Sequence, residues 1–169
     1  MNEIISHLYK DITDGHWVIQ SNEEHTRGVA KLASKFAGEF GLPKWGKVLG
    51  DLHDKGKEAN AFQQHIKKES GYAPETKVIG DYHHAYVGGI IARNLYGKSA
   101  DNFFVNQILS HHSGLHDSDE LDGENSELKK NIATEVNTNI EKIGLDKLSF
   151  KCEVSDFHHL SRMLYSCLV

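Results

Sequence analysis

The chain has 169 residues and a formal net charge of −5, with 38% hydrophobic and 25% charged residues. This length predicts one domain over residues 1–169 whose core needs no disulfide bonds. The net charge argues against a broad nucleic-acid-binding face, so DNA would be held by a local basic patch, bound metal ions or another domain. Cys152 and Cys167 are too few for a disulfide framework. No stretch approaches the roughly 18 to 20 apolar residues of a membrane span, and no signal-peptide pattern is present, which predicts a cytoplasmic protein.

The N-terminal part of the chain predicts a short helix, an extended segment and then a long helix. The short helix lies within residues 3–20, which end in the extended run Trp17-Val18-Ile19. A Ser-x-x-Glu capping box from Ser21 to Glu24 begins the long helix, which runs to about Phe40. Its apolar residues at helical spacing predict the buried face: Val29, Leu32, Ala33, Phe36 and Phe40.

Gly41 and Pro43 end this helix and begin the next, which runs from Lys44 to about Asp54. Five more helices are predicted: Ala59 to Glu69, Asp81 or Tyr82 to Tyr96, Asn102 to His112, Glu127 to Ile143, and Asp156 to Val169. Residues 71–80 and the acidic stretch 113–125 read as loops. The fold class predicted is therefore an all-α bundle of about six or seven helices.

Histidines recur at the ends of the predicted helices. His25 lies in the first turn of the long helix, His53 and Asp54 end the second, His84 begins another, and His111-His112 end the next. Side chains from different helix ends of a bundle can converge on one pocket. Imidazole and carboxylate ligands suit Mn, Fe, Co, Ni or Zn better than Ca or bare Mg. Two such ions about 3.5 to 4 Å apart cleave phosphodiesters by activating water and stabilising the leaving oxygen.

The order of these residues resembles the HD superfamily of metal-dependent phosphohydrolases. It is more narrowly similar to the HD nuclease domain of the type I CRISPR-associated helicase-nucleases, over roughly residues 22 to 169. The segments that carry the resemblance are Leu52-His53-Asp54-Lys55-Gly56-Lys57 with Phe62-Gln63, His84-Ala85-Tyr86-Val87-Gly88-Gly89, Ser110-His111-His112-Ser113-Gly114-Leu115-His116-Asp117, and Arg162-Met163-Leu164-Tyr165-Ser166-Cys167-Leu168-Val169. The His-His-Ser-Gly-Leu run is the most specific of them.

The resemblance implies an HD-domain bundle that hydrolyses single-stranded DNA in CRISPR interference. The implied metal ligands are His25, His53, Asp54, His84, His111 and His112. The catalytic pair would be Asp54 and Lys57, with Lys57 on the scissile phosphate. The implied cofactor is one or two ions of Mn, Ni, Co, Fe or Mg, and the partners are a helicase, in the same chain or separate, and the CRISPR surveillance complex. The family continues with an Asp-Ala-Asp segment after the position of Val169, so we expect this chain to be the N-terminal part of a longer helicase-nuclease.

Two other functions stay open at this point. One is an HD phosphohydrolase that acts on a nucleotide or cyclic nucleotide, and the other is a catalytically incomplete binding module. His83 competes with His84 as a ligand, and a His-x-x-x-Gly match favours His84. The lysines that would guide DNA are Lys55, Lys57, Lys67 and Lys68. The histidines expected to be structural are His7, His16, His65, His158 and His159.

Overall fold

The computed structural model describes residues 3–115, 121–123, 126–147 and 154–168. Within them the chain forms six α-helices and one antiparallel two-stranded sheet. The strands are β1 (Ile5–Lys10) and β2 (Trp17–Ser21). The helices are α1 (Asn22–Gly38), α2 (Pro43–Leu52), α3 (Asn60–Glu69), α4 (Ala85–Tyr96), α5 (Asn106–Leu109) and α6 (Val154–Ser166). The fold is therefore mainly helical as predicted, and the sheet is the exception to an all-α architecture.

None of the helices in these ranges is long and apolar enough to cross a membrane. Part of the acidic loop predicted at 113–125 lies outside the described residues, and so do His116, Cys152 and Val169.

A β-hairpin replaces the short helix predicted within residues 3–20. Its register runs from Ile5 opposite Ser21 to Lys10 opposite Trp17, with an irregularity between Ile5 and His7. Ile5 and its neighbour Ser6 are both buried at this irregularity. The strand therefore lacks the regular alternation of buried and exposed residues from which a β-strand is predicted. The helical prediction was wrong for this reason.

The long helix begins as predicted, because the hydroxyl of Ser21 accepts a hydrogen bond from the Glu24 amide at 3.2 Å. Its predicted buried face is wrong at two positions, since Leu32 is 54% exposed and Phe36 48% exposed. The face that packs on α2 consists of small residues: Ala33, which was predicted to be buried, together with Ala30 and Ala37.

Two glycines of α2 explain why α1 buries alanines. A Cβ placed on Gly46 would lie 2.2 Å from the carbonyl oxygen of Ala33, and one on Gly50 would lie 2.3 Å from the Cα of Ala30. The two backbones are too close for larger side chains between them. This close contact positions the start of α1 beside the end of α2, where the candidate ligands lie.

The helices around the other histidines are shorter than predicted. Helix α4 begins at Ala85, so His84 occupies its N-cap position. The helix predicted from Asn102 to His112 is a π-helical turn at Asp101–Val105 followed by the short α5. His53 and Asp54 likewise lie just beyond the last residue of α2. All the candidate ligands except His25 of α1 therefore lie outside the α-helices, where their side chains are free of the helical repeat and can converge on one place.

Residues 130–147 form an irregular strap, and the helix predicted from Glu127 to Ile143 was wrong apart from a 3₁₀ turn at Glu127–Lys129. Helices α2 and α3 have no capping side chain at their own N-cap residues. The strap supplies the caps: Asp146 accepts a hydrogen bond from the Lys44 amide at 2.8 Å, and Glu135 accepts one from the Asn60 amide at 2.7 Å. The polar residues of this segment thus satisfy helix ends elsewhere.

Candidate metal centre

Two glycines bring α4 against the turn that follows α2. A Cβ on Gly88 would lie 1.9 Å from the carbonyl oxygen of Leu52, and a Cβ on Gly56 would lie 2.2 Å from that of His84. Only residues without a side chain permit this approach. It places His84 next to Asp54.

Asp54 is the centre of the site and is only 2% exposed. Its Oδ1 atom lies 3.4 Å from Nε2 of His84 and 3.3 Å from Nε2 of His111. Its Oδ2 atom lies 3.0 Å from Nε2 of His25 and 3.2 Å from Nε2 of His53. One buried carboxylate therefore joins imidazoles from four separate segments of the chain.

The imidazoles form two groups around this carboxylate. We call Oδ1 of Asp54 with His84, His111 and His112 the Oδ1 half, and Oδ2 with His25 and His53 the Oδ2 half. In the first, Nε2 of His112 lies 2.9 Å from Nε2 of His84. The ligand-type atoms within each half lie no more than 4.8 Å apart, and each half could hold a metal ion. The structure thus brings together all six residues that the sequence suggested as ligands.

The hydrogen bonds of two imidazoles indicate that a cation fits the site. Nδ1 of His53 donates to the carbonyl of Gly50 at 2.8 Å, and Nδ1 of His111 donates to that of Ile108 at 2.6 Å. A neutral ring that donates through Nδ1 presents a lone pair at Nε2. Within the described part of the chain, Nε2 of His111 and Oδ1 of Asp54 are buried without a hydrogen-bond partner. Two lone-pair-bearing atoms that face each other at 3.3 Å are stabilised by a cation between them.

The ionisation states also suit metal binding. Burial by itself would raise the pKa of Asp54, but its contacts with His111, His25 and the other imidazoles hold that pKa well below its usual range. Burial lowers the pKa of His84, and burial together with neighbouring His111 and His84 lowers the pKa of His112 to about 4. An ionised carboxylate beside His84 and His112, whose lowered pKa values favour the neutral ring, suits metal binding, because ligands bind metals in the deprotonated state.

Lys57 lies inside the Oδ2 half. Its Nζ is 2.8 Å from Oδ2 of Asp54 and 3.2 Å from the hydroxyl of Ser6, and its side chain is 5% exposed. The ring of Phe62 lies 5.7 Å from the same ammonium. The Oδ2 half therefore already contains a positive charge that belongs to the protein.

The lysine track expected from the sequence does not form one exposed face. Lys57 is buried against Asp54, and Lys55 is paired with Glu58 with only 15% of its side chain exposed. Lys67 is half-buried and Lys68 is exposed on α3.

Sequence reasoning missed one histidine beside the site. The ring of His7 on β1 packs edge-on against that of His25, with centroids 4.6 Å apart. Burial, and then the charge of Lys57, lower the pKa of His7. Recognising β1 as a strand would have placed His7 beside the site, but the register irregularity conceals that strand.

Phe62 and Gln63 support the turn that carries Asp54. The Gln63 amide donates to the carbonyls of Lys57 and Ile5, each at 2.8 Å, and its Oε1 accepts from the Ile5 amide at 2.9 Å. The ring of Phe62 packs against His84 at a centroid distance of 4.8 Å. These contacts tie the hairpin and α3 to the turn that carries Asp54.

Tyr165 of α6 supports the other side of the site. Its hydroxyl lies 2.7 Å from the carbonyl oxygen of Ser113 and 3.2 Å from that of Ser110. These two carbonyls bracket His111 and His112. Helix α6 therefore fixes the turn that supplies two ligands of the Oδ1 half.

No family model matches the chain, and a comparison with curated proteins finds no match either.

Proposed function

We propose that the protein is an HD-type metal-dependent nuclease that hydrolyses phosphodiester bonds of single-stranded DNA. The observation that carries the proposal is Asp54, a buried carboxylate with imidazoles at both of its oxygens. A carboxylate between two cations is the arrangement typical of centres that cleave phosphodiesters. The resemblance of the motifs around His53-Asp54, His84 and His111-His112 to HD nucleases supports the same activity.

The ligand chemistry favours a transition metal. Three imidazoles and one carboxylate oxygen in the Oδ1 half suit Mn, Fe, Co or Ni, whereas Mg prefers oxygen ligands. A metal bound there would supply Lewis-acid stabilisation of charge on the phosphoryl oxygens and would lower the pKa of a bound water.

The protein's own residues have distinct roles in this proposal. Asp54 remains ionised and bridges the two halves, while the backbone acceptors of Gly50 and Ile108 hold His53 and His111 in the tautomer that presents Nε2. Lys57 provides positive charge on the Oδ2 side, where it offsets negative charge that develops on the scissile phosphate. Gln63 keeps the turn around Lys57 in place.

The resemblance also supports partners for this activity. A helicase, in the same chain or separate, would deliver the strand, and a CRISPR surveillance complex would recruit the nuclease to its target. The net charge of −5 is consistent with delivery by a partner, because a negatively charged protein does not attract DNA over a broad surface.

The test is cleavage of circular single-stranded DNA in the presence of Mn, Ni, Co or Mg. We expect wild-type protein to cut in a metal-dependent manner and Asp54→Ala to be inactive. The matched control is Asp51→Asn, which removes a carboxylate one helical turn away that is paired with Lys47. Hydrolysis of a cyclic nucleotide but not of DNA would contradict the proposal in favour of a nucleotide phosphohydrolase. Metal binding without any hydrolysis would favour a binding module.

A further inference from the structure

Three stacked rings lie beside the metal centre. The ring of His65 on α3 stacks on Tyr82 with centroids 3.9 Å apart and planes 9° apart. Tyr82 in turn stacks on His83 with centroids 4.9 Å apart and planes 15° apart. We call these three residues the ring column. His83 is followed in the chain by His84, a candidate ligand of the Oδ1 half, so the column adjoins the site directly.

The column is fixed by polar contacts on either side. The amide of Ile79 donates to Oε1 of Gln64 at 2.9 Å, which attaches the loop to α3. Oδ1 of Asp81 accepts from the amide of His83 at 2.9 Å and from its Nδ1 at 2.7 Å. Lys130 donates to the other carboxylate oxygen at 3.0 Å. The rings are therefore already arranged before any ligand arrives.

The column is also open to solvent. Tyr82 is 39% exposed, and the side chain of His83 is 66% exposed. The contact between Trp17 of β2 and Tyr72, which follows the end of α3, is by contrast edge-on at 86°. Tyr82 lies between the two imidazoles, so the flat face presented to a ligand is the outer face of the exposed His83 ring. An unpaired base is a planar ligand that stacks on such a face.

We infer that the ring column is a stacking platform for an unpaired base of single-stranded DNA whose neighbouring phosphate lies in the metal centre. This inference rests on the proposed function for its choice of ligand. Stacking tolerates every base, because each has a π-face. It also selects for single strands, since the bases of a duplex stack on one another and are not available to protein rings.

The test compares two labelled strands of equal length, an oligothymidylate and a strand of abasic sites, by fluorescence anisotropy with metal-free protein. We expect wild-type protein to prefer the thymidine strand. Tyr82→Ala removes the ring on which His83 stacks, so it should weaken binding of that strand by roughly tenfold and leave the abasic strand unaffected. Tyr82→Phe should retain binding, because it keeps the stacked ring. The matched control is Phe36→Ala, which removes a 48% exposed ring from the distant part of α1.

Three binding results would overturn the inference: no binding of the thymidine strand by wild-type protein, equal binding of both strands, or equal weakening of both by Tyr82→Ala.

Cleavage of circular single-stranded DNA with Mn separates this inference from the proposed function. A wild-type protein that does not cut, with base-dependent binding lost in Tyr82→Ala, would contradict the nuclease and leave the platform standing. A Tyr82→Ala protein that cuts with unchanged KM and binds as wild type would contradict the platform and leave the nuclease standing.

Discussion

The two halves of the centre share one carboxylate but differ in the charge around it. In the Oδ1 half three imidazoles surround Oδ1 of Asp54, and within the described residues that oxygen has no hydrogen-bond partner. In the Oδ2 half two imidazoles are present, and the ammonium of Lys57 already lies 2.8 Å from Oδ2. The first half is built for an added cation, and the second contains a cation of its own.

This difference predicts unequal metal affinity. An ion entering the Oδ1 half meets a bare carboxylate oxygen and neutral imidazoles, whereas one entering the Oδ2 half meets a like charge in a buried site. Coulomb repulsion between buried charges weakens slowly with distance and is poorly screened by salt. We therefore expect one tightly bound ion in the Oδ1 half and weaker binding of a second.

Loss of the shared residue should give the largest effect. Asp54→Ala removes a ligand from both halves, so we expect both binding events to weaken by at least about 100-fold, since even residues that only support a ligand cost 10 to 100-fold. Isothermal titration with Mn measures this. Asp51→Asn should bind as wild type. Retention of one tight event in Asp54→Ala would show that the halves do not share this carboxylate.

Lys57→Met should have the next largest effect, lowering the stability of the metal-free protein while raising the affinity of the Oδ2 half for metal. Breaking a buried ion pair leaves Asp54 without its ammonium, so metal-free protein should lose about 3 kcal/mol of unfolding free energy. Metal should bind the Oδ2 half more tightly once the competing charge is gone, and saturating Mn should restore much of the stability. Urea denaturation with and without Mn gives both numbers.

The control for this prediction is Lys55→Met, because Lys55 and Lys57 lie in the same 3₁₀ turn, Lys55–Glu58. Its partner Glu58 is 20% exposed, so the loss should be smaller. Equal stability of Lys57→Met and wild-type protein without metal would contradict a structural role for the ammonium.

Single imidazoles should then separate the two halves. His111→Ala removes a ligand of the Oδ1 half, and His25→Ala removes one of the Oδ2 half. Each variant should weaken metal binding in the half that loses the ligand by at least about tenfold. We expect His111→Ala to weaken the tighter event in calorimetric titration and His25→Ala the weaker one. If either variant weakened both events equally, the division into halves would fail.

The ligand set could be predicted from the sequence because it depends on residue identity and order. His53-Asp54 and His111-His112 stand where a helical pattern ends, and the hypothesis of one converging site needed no exact helix boundary. The boundaries themselves were wrong at His84, since α4 begins only at Ala85, and before His111, since a short π turn leaves little trace in periodicity. These boundary errors did not change the predicted ligand set, because side chains in turns can also converge on one site.

The remaining differences come from contacts between distant segments. The strap at 130–147 caps α2 through Asp146 and α3 through Glu135, across sequence separations of 102 and 75 residues respectively. Such pairing replaces a local helical preference with tertiary hydrogen bonds, which a local pattern does not contain. The burial of Lys57 is similar, because its partner Ser6 lies on a hairpin that the sequence pattern concealed.

Tyr165→Phe should have a smaller effect that is confined to the Oδ1 half. The variant loses a hydroxyl bonded to the carbonyls around His111-His112, which is worth about 1 kcal/mol. We expect the tighter binding event to weaken several-fold and the weaker event to stay unchanged. Tyr9→Phe, at a residue 57% exposed on β1, is the control. Weaker binding of the ion in the Oδ2 half instead would show that α6 does not support the Oδ1 half.

The smallest expected effect is the pH dependence of the metal-free protein. The folded pKa of His112, about 4, lies below its ordinary value of 6.5, owing to burial and then to His111 and His84. The unfolded chain therefore takes up the proton more readily between these two pH values, and stability falls as the pH falls from about 6.5 to about 4. His112→Asn should flatten this part of the profile in urea denaturation at several pH values. If the slope of unfolding free energy against pH were unchanged in His112→Asn, the acid-sensitive group would lie outside the Oδ1 half. In that case Mn bound in the Oδ1 half should not reduce the slope.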